Sequence, residues 1–167
     1  MQPHAEIAAL REPLPVWAAA ALAVGAPEFV PAALWALLPR HAGFSFLDLG
    51  CGTGSLLTDF ARARPDGSYH GIETAPFSFL LSCWRARSAS VVSVAGDDFW
   101  RADFAQYDVV YAYLSPQPMA RLWQKAQREM QSGSLLVSNT FAIPGVEPTP
   151  ILPVGDRLNS TLFVWRM

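Results

Sequence analysis

The stretch FLDLGCGTG, residues 46–54, constrains the chain more than any other. An acid, Asp48, ends an apolar run, and Gly50, Gly52 and Gly54 then fall at every second position. Glycine adds no packing, so three of them in alternation mark a backbone that must take positive φ or meet another group closely. A helical pattern follows at once, with Leu56, Leu57, Phe60 and Ala61 at helical spacing and Pro65, Asp66 and Gly67 as the stop. A strand, a glycine turn and a helix in this order is the opening unit of a sheet that binds ligands at its carboxyl edge.

The rest of the chain repeats the alternation. Residues 68–73 and 90–96 read as strands around a helix at 76–88, which opens with Pro76. Residues 107–114 form a nearly continuous apolar strand. A helix is predicted over 116–131, closed by Gly133, and a strand over 134–141. PTPILPV and STLFVWRM, separated by GDRLN, suit an antiparallel hairpin. The fold class is therefore α/β: a doubly wound, seven-stranded, mostly parallel sheet ending in an antiparallel hairpin.

At 167 residues with 51% hydrophobic and 16% charged side chains, the chain has enough apolar matter for one packed domain. Residues 14–38 are mostly apolar, but Pro27, Glu28 and Pro31 interrupt them. The longest uninterrupted piece, Val16 to Ala26, is too short to span a bilayer. Glu6, Arg11 and Glu12 precede it, which is not the basic start of a secretory signal. Residues 14–38 thus read as two packed helices joined by a turn, with 1–27 as a helical extension and 28–167 as the main domain. Membrane contact is not favoured by this pattern.

A net charge of −2 and the lack of a basic run argue against nucleic acid as partner. Cys51 and Cys83 form no disulfide framework, which suits a reducing compartment such as the cytoplasm. His4, His41 and His70 lack ligand spacing, so no metal is assigned. Lys125 is the only lysine.

Two ligand classes compete for the glycine loop. A dinucleotide is read by G-x-G-x-x-G. Here the spacing is G-x-G-x-G, with Ser55 where the last glycine would fall. The other class is S-adenosylmethionine, whose pattern is an acid, one residue, then G-x-G-x-G. Asp48-Leu49-Gly50-Cys51-Gly52-Thr53-Gly54 matches that pattern at each position. An acid at the strand tip can hold the ammonium of the methionine end and would repel a pyrophosphate. Glu73, followed by Thr74, ends the second strand 19 residues after Gly54, where a carboxylate can accept from both ribose hydroxyls. Asp97, Asp98 and Phe99 end the third, where an acid can take the adenine amine and a ring can lie against the base. Taken singly, Asp48 could cap a helix, Glu73 could be a solvated loop acid, and Asp97 and Asp98 could be turn residues. Together, in register with successive strands, they form one constellation. Cys51 reads as small filler, with no base beside it to make it a nucleophile.

DLGCGTG, GIE and GDDF together resemble the class I S-adenosylmethionine-dependent methyltransferases over roughly residues 28–167. A narrower resemblance, carried by EFVPA (28–32), residues 109–141 and residues 141–167, is to the small archaeal protein-lysine methyltransferases and their mitochondrial relatives. It implies a Rossmann-like methyltransferase fold, S-adenosylmethionine as cofactor, Phe29 close to that cofactor, and a protein acceptor with an exposed lysine. The chain departs from the family pattern in having Thr53 where an acid is usual and Phe29 where tyrosine is usual. Tyr113 and Ser115, just after the fourth strand, are the candidates to line the acceptor channel, while Phe141 and Ile143 are lesser candidates near its mouth. Tyr113 could equally be a buried strand aromatic, and Ser115 could simply start a helix with Pro116 in its first turn. Three readings stay open: a methyltransferase for protein amines, one for a small-molecule or lipid-like acceptor, and a nucleotide-binding domain without catalysis.

Overall fold

The computed structural model describes residues 30–154 and 160–167. The helical extension expected over 1–27, and Phe29, lie outside the described residues. The elements in order are α1 (Val30–Trp35), β1 (Ser45–Leu49), α2 (Ser55–Ala63), β2 (Ser68–Ile72), α3 (Pro76–Ala86), β3 (Val92–Ala95), two short 3-10 turns, β4 (Val109–Ala112), α4 (Met119–Glu129), β5 (Leu135–Asn139), β6 (Ile151–Pro153) and β7 (Thr161–Arg166).

The strands form one seven-stranded sheet in the order β3-β2-β1-β4-β5-β7-β6. β1 to β5 run parallel, while β7 is antiparallel to both β5 and β6. This is the expected architecture, including the closing hairpin. The chain jumps from the β3 edge back to β4 beside β1, so the strand order reverses there. The crevice outside the carboxyl ends of β1 and β4 is the place where such sheets bind ligands.

Side-chain alternation along β1 and β4 explains the two cores. Phe46, Val109 and Tyr111 point to one face and pack with Leu57 and Phe60 of α2 and with Leu34 of α1. Leu47, Leu49, Val110 and Ala112 point to the other and pack with Met119, Leu122 and Ala126 of α4. Both faces are apolar, so the central strands read as continuous hydrophobic runs rather than alternating ones. Each fully buried Phe or Leu contributes about 1.5–3 kcal/mol relative to exposure. Asp48 sits one step beyond Phe46 on the same face and interrupts this apolar surface at the strand's end.

Two boundaries differ from expectation. The helix expected from residue 116 begins at Met119, with Pro118 as its N-cap. A proline restricts the residue before it to extended backbone, so Gln117 cannot enter the helix and Ser115 does not start it. Gly133 does not close α4 either. Met130 takes the C-cap position, and Gly133 (φ 91°) makes the following turn, where its N–H donates to the carbonyl of Met167 at 2.8 Å. Among the described residues no helix is long and apolar enough to cross a membrane, and no three metal-ligating side chains cluster.

Candidate cofactor and acceptor site

The alternating glycines answer a backbone demand. Gly50, Gly52 and Gly54 all take left-handed φ, at 72°, 55° and 72°. Such a zigzag is strained for any residue with a Cβ. Gly54 has a second constraint: a Cβ there would lie 2.9 Å from Cβ of Ser82 on α3. The loop thus turns sharply from β1 into α2 while α3 passes directly alongside.

The loop's amides are largely engaged within the protein. Gly50 and Cys51 both donate to the carbonyl of Ile72, at 2.9 and 3.0 Å, and Gly54 donates to that of Cys51 at 2.9 Å. The Gly52 N–H donates to Oε2 of Glu73 at 2.8 Å. A cradle of free N–H groups for a pyrophosphate is therefore not what this loop offers. What faces the crevice is negative charge.

Asp48 and Glu73 carry that charge. Asp48 is only 4% exposed. Burial first, and the nearby Glu73 second, push its pKa up to about 7. A buried acid beside a second acid is a costly arrangement that a cationic ligand would relieve. Glu73 follows β2 directly. Its Oε1 accepts from the Ala75 N–H at 2.7 Å and its Oε2 from Gly52. Each oxygen keeps a further lone pair, enough for two ribose hydroxyls. The residues present thus fit a ligand with a cationic end and a ribose, as S-adenosylmethionine has, and do not suit an anionic pyrophosphate.

The other expected residues fall nearby with different contacts. Leu49 is fully buried and contributes only backbone. Cys51 is 8% exposed, its thiol pushed up to about 12 by burial and by the charges of Asp48 and Glu73, so it stays protonated and inert. Thr53 turns outward, where its hydroxyl takes Nη1 of Arg85 on α3 at 2.6 Å. Thr74 is exposed. Asp97 and Asp98 act within their own turn: Oδ1 of Asp97 accepts from the Asp98 N–H at 2.7 Å, and Oδ1 of Asp98 accepts from that of Trp100 at 3.0 Å. Phe99 is half-buried and lies 4.8 Å from the Trp100 ring.

On the acceptor side, Tyr113 is 53% exposed at the end of β4, so it is not a buried strand aromatic. Ser115 is exposed beside it. Tyr111, two residues back on the same face, is buried. Its hydroxyl takes the Asn139 side-chain amide at 3.0 Å, and the Asn139 carbonyl oxygen accepts from the Thr140 hydroxyl at 3.0 Å. This buried polar link at the ends of β4 and β5 was not foreseen, although an amide inside the run SLLVSNTF was its signal. Ile143, a lesser candidate for the channel mouth, is 3% exposed and packs in the α4-side core instead, and Phe141 is half-buried against the same core.

Residues 48–150 match the family described as the ANTKMT methyltransferase domain. The chain belongs to this methyltransferase family. Over 129 residues it is 30% identical to a lysine N-methyltransferase of Mus musculus named for ATP synthase, a match that covers 75% of this chain and 49% of the mouse protein. It is 25% identical over 122 residues to a protein-lysine N-methyltransferase of Saccharolobus islandicus, covering 71% of this chain and 76% of that one. The chain spans about half the length of the mammalian relatives it matches. Among solved structures, an RNA methyltransferase from Salinibacter ruber in complex with S-adenosyl-L-homocysteine superposes with a TM-score of 0.67 at 22% identity over 93% of this chain and 92% of that chain. At that identity the likeness speaks for the fold of the family member and not for its acceptor.

Proposed function

We propose that this family member binds S-adenosylmethionine at the carboxyl ends of β1 to β3 and transfers its methyl group to lysine side-chain amines of a protein. The observation that carries the cofactor half is the buried Asp48 carboxyl beside Glu73 at the tips of β1 and β2. The acceptor half is supported by the relatives, which are named as lysine N-methyltransferases.

When bound, the cofactor supplies a methyl group made electrophilic by a sulfonium. In the proposed arrangement Asp48 holds the ammonium, Glu73 the ribose hydroxyls, and Asp97, Asp98 and Phe99 the adenine. The chain's work on the acceptor is positioning and deprotonation. A free lysine at pH 7 is neutral in about one molecule in 10³. A slot beside Tyr113 and Ser115 favours the neutral amine by desolvation and holds it in line. Two free cysteines suit action in a reducing compartment such as the cytoplasm.

The test is transfer of labelled methyl to a cell lysate, followed by separation into protein, nucleic acid and lipid or small-molecule fractions. Label in protein, recovered as methyllysine on hydrolysis and lost with Glu73→Ala, is the expected result. Label confined to nucleic acid or to small molecules overturns the lysine assignment.

A further inference from the structure

The outer face of α3 has no use in the site just described, yet it is the most apolar exposed surface among the described residues. Phe77, Leu80 and Trp84 are 79%, 66% and 66% exposed, and they recur at the spacing of one helical stripe. Isolated exposed apolar residues need no explanation, but a contiguous row of this size does. Trp84 also forms the wall of an open groove of ≈ 620 Å³ between α2 and α3. Arg62, Arg85 and Arg87 line the same groove, with Ser55 and Ser88 between them and Asp59 as the acid among them. Asp59 lies 3.6 Å from Arg62, and Arg85 holds Thr53. Arginines thus outnumber acids three to one here, in a chain whose net charge is −2.

We infer that this face docks on an anionic lipid surface, with Phe77, Leu80 and Trp84 entering the interface and the arginine groove taking the headgroups. The layering is that of an interfacial helix: a narrow apolar row, a tryptophan at its boundary, and guanidiniums beside it. A second copy of the chain fits poorly, because a two-fold contact through α3 would set the arginines of one copy against those of the other. The charge therefore selects an anionic partner, and the exposed stripe selects one with an apolar interior. Docking here sets the lipid surface close to the candidate site, since Glu73 and Ala75 lie just before the first turn of α3.

The test needs neither cofactor nor acceptor, so its outcome is independent of the methyltransferase reading. The full chain is sedimented with vesicles of phosphatidylcholine alone and of phosphatidylcholine with phosphatidylglycerol. The wild type is expected to bind the mixed vesicles at least tenfold better than the neutral ones, and to be released by salt. Leu80→Ser/Trp84→Ser is expected to lower that binding tenfold or more, and Arg62→Gln/Arg87→Gln to abolish the preference for the anionic lipid. All four side chains are surface groups, so circular dichroism should show both variants folded. No vesicle binding by the wild type overturns the inference. So does binding that both variants retain, which would place the contact in another segment, such as residues 14–26. Binding of an acidic polypeptide such as polyglutamate, with none to vesicles, would assign the face to a protein partner instead.

Discussion

The Gly52 amide donates to the Glu73 carboxylate at 2.8 Å, which ties the glycine loop after β1 to the acid that ends β2. One side chain thus shapes the loop and presents its remaining lone pairs to the crevice. Glu73→Ala should cost both functions. Loss of a charge-assisted hydrogen bond of this kind costs about 1.5–3 kcal/mol, and if Glu73 holds the ribose as proposed, its removal should weaken cofactor binding by about 100-fold. Glu73→Gln, which keeps one oxygen, should fall between. Thermal unfolding and calorimetric titration of the three proteins separate the stability loss from the affinity loss.

Asp48 sets a pH signature. Its pKa is raised to about 7 by burial and by Glu73, against about 3.9 in the unfolded chain. Between these values the folded state holds a proton that the unfolded state has lost. Stability of the ligand-free protein should therefore fall as pH rises from about 4 to 7 and level off above, by up to about 4 kcal/mol. Asp48→Asn should remove that slope and stabilise the ligand-free protein at pH 8, while weakening cofactor binding. Denaturant midpoints across pH 4 to 8 for the two proteins check the sign.

Thr53 stands where an acid would pair directly with Arg85, now 2.6 Å from its hydroxyl. Thr53→Asp should replace a neutral contact by an ion pair and gain about 0.5–1 kcal/mol, a rise of about 1–4 °C in Tm. The gain should shrink in 1 M salt. A fall in Tm at low salt would show that Arg85 cannot follow the added carboxylate.

Lys125 is only 7% exposed; its ammonium bonds both oxygens of Glu129, at 2.8 and 2.6 Å, and sits 4.6 Å from the Phe104 ring. The sole lysine is thus unavailable as an internal acceptor. Lysine-specific acetylation of the folded protein should leave Lys125 unmodified by mass spectrometry, and incubation with the cofactor should add no methyl group to it. Lys125→Ala should destabilise by about 2–4 kcal/mol, because Glu129 loses a partner in a half-buried place.

Most of the fold was legible because the helices and strands obey local rules. Leu57, Phe60 and Ala61 at helical spacing, and the apolar run of β4, each carry their own signal, and the tail divides visibly into the two strands of its hairpin. The acids of the candidate site were legible because each ends a strand. What the local pattern did not carry was contact between distant segments. Nothing around Arg85 points to Thr53, 32 residues earlier. Gly71 reads as an ordinary strand residue, yet a Cβ there would lie 2.6 Å from both Cys51 Sγ and Leu57 Cδ1, so its bareness lets the loop and α2 close on the sheet. The exposure of Trp84 depends on α3 flanking the edge of the sheet with no described element over its outer side. The bounds of α4 were the local signals misread: two prolines, Pro116 and Pro118, lie close together and the second governs where the helix can begin, while Met130 rather than Gly133 ends it.

The central claim is that the tips of β1 and β2 hold a sulfonium cofactor rather than a dinucleotide. Isothermal titration of the purified chain with S-adenosylmethionine and, separately, with NAD tests it directly. Saturable binding of S-adenosylmethionine that is strongly weakened by Glu73→Ala, with no heat from NAD, is the predicted result. Binding of NAD, or S-adenosylmethionine binding that Glu73→Ala leaves unchanged, would contradict it.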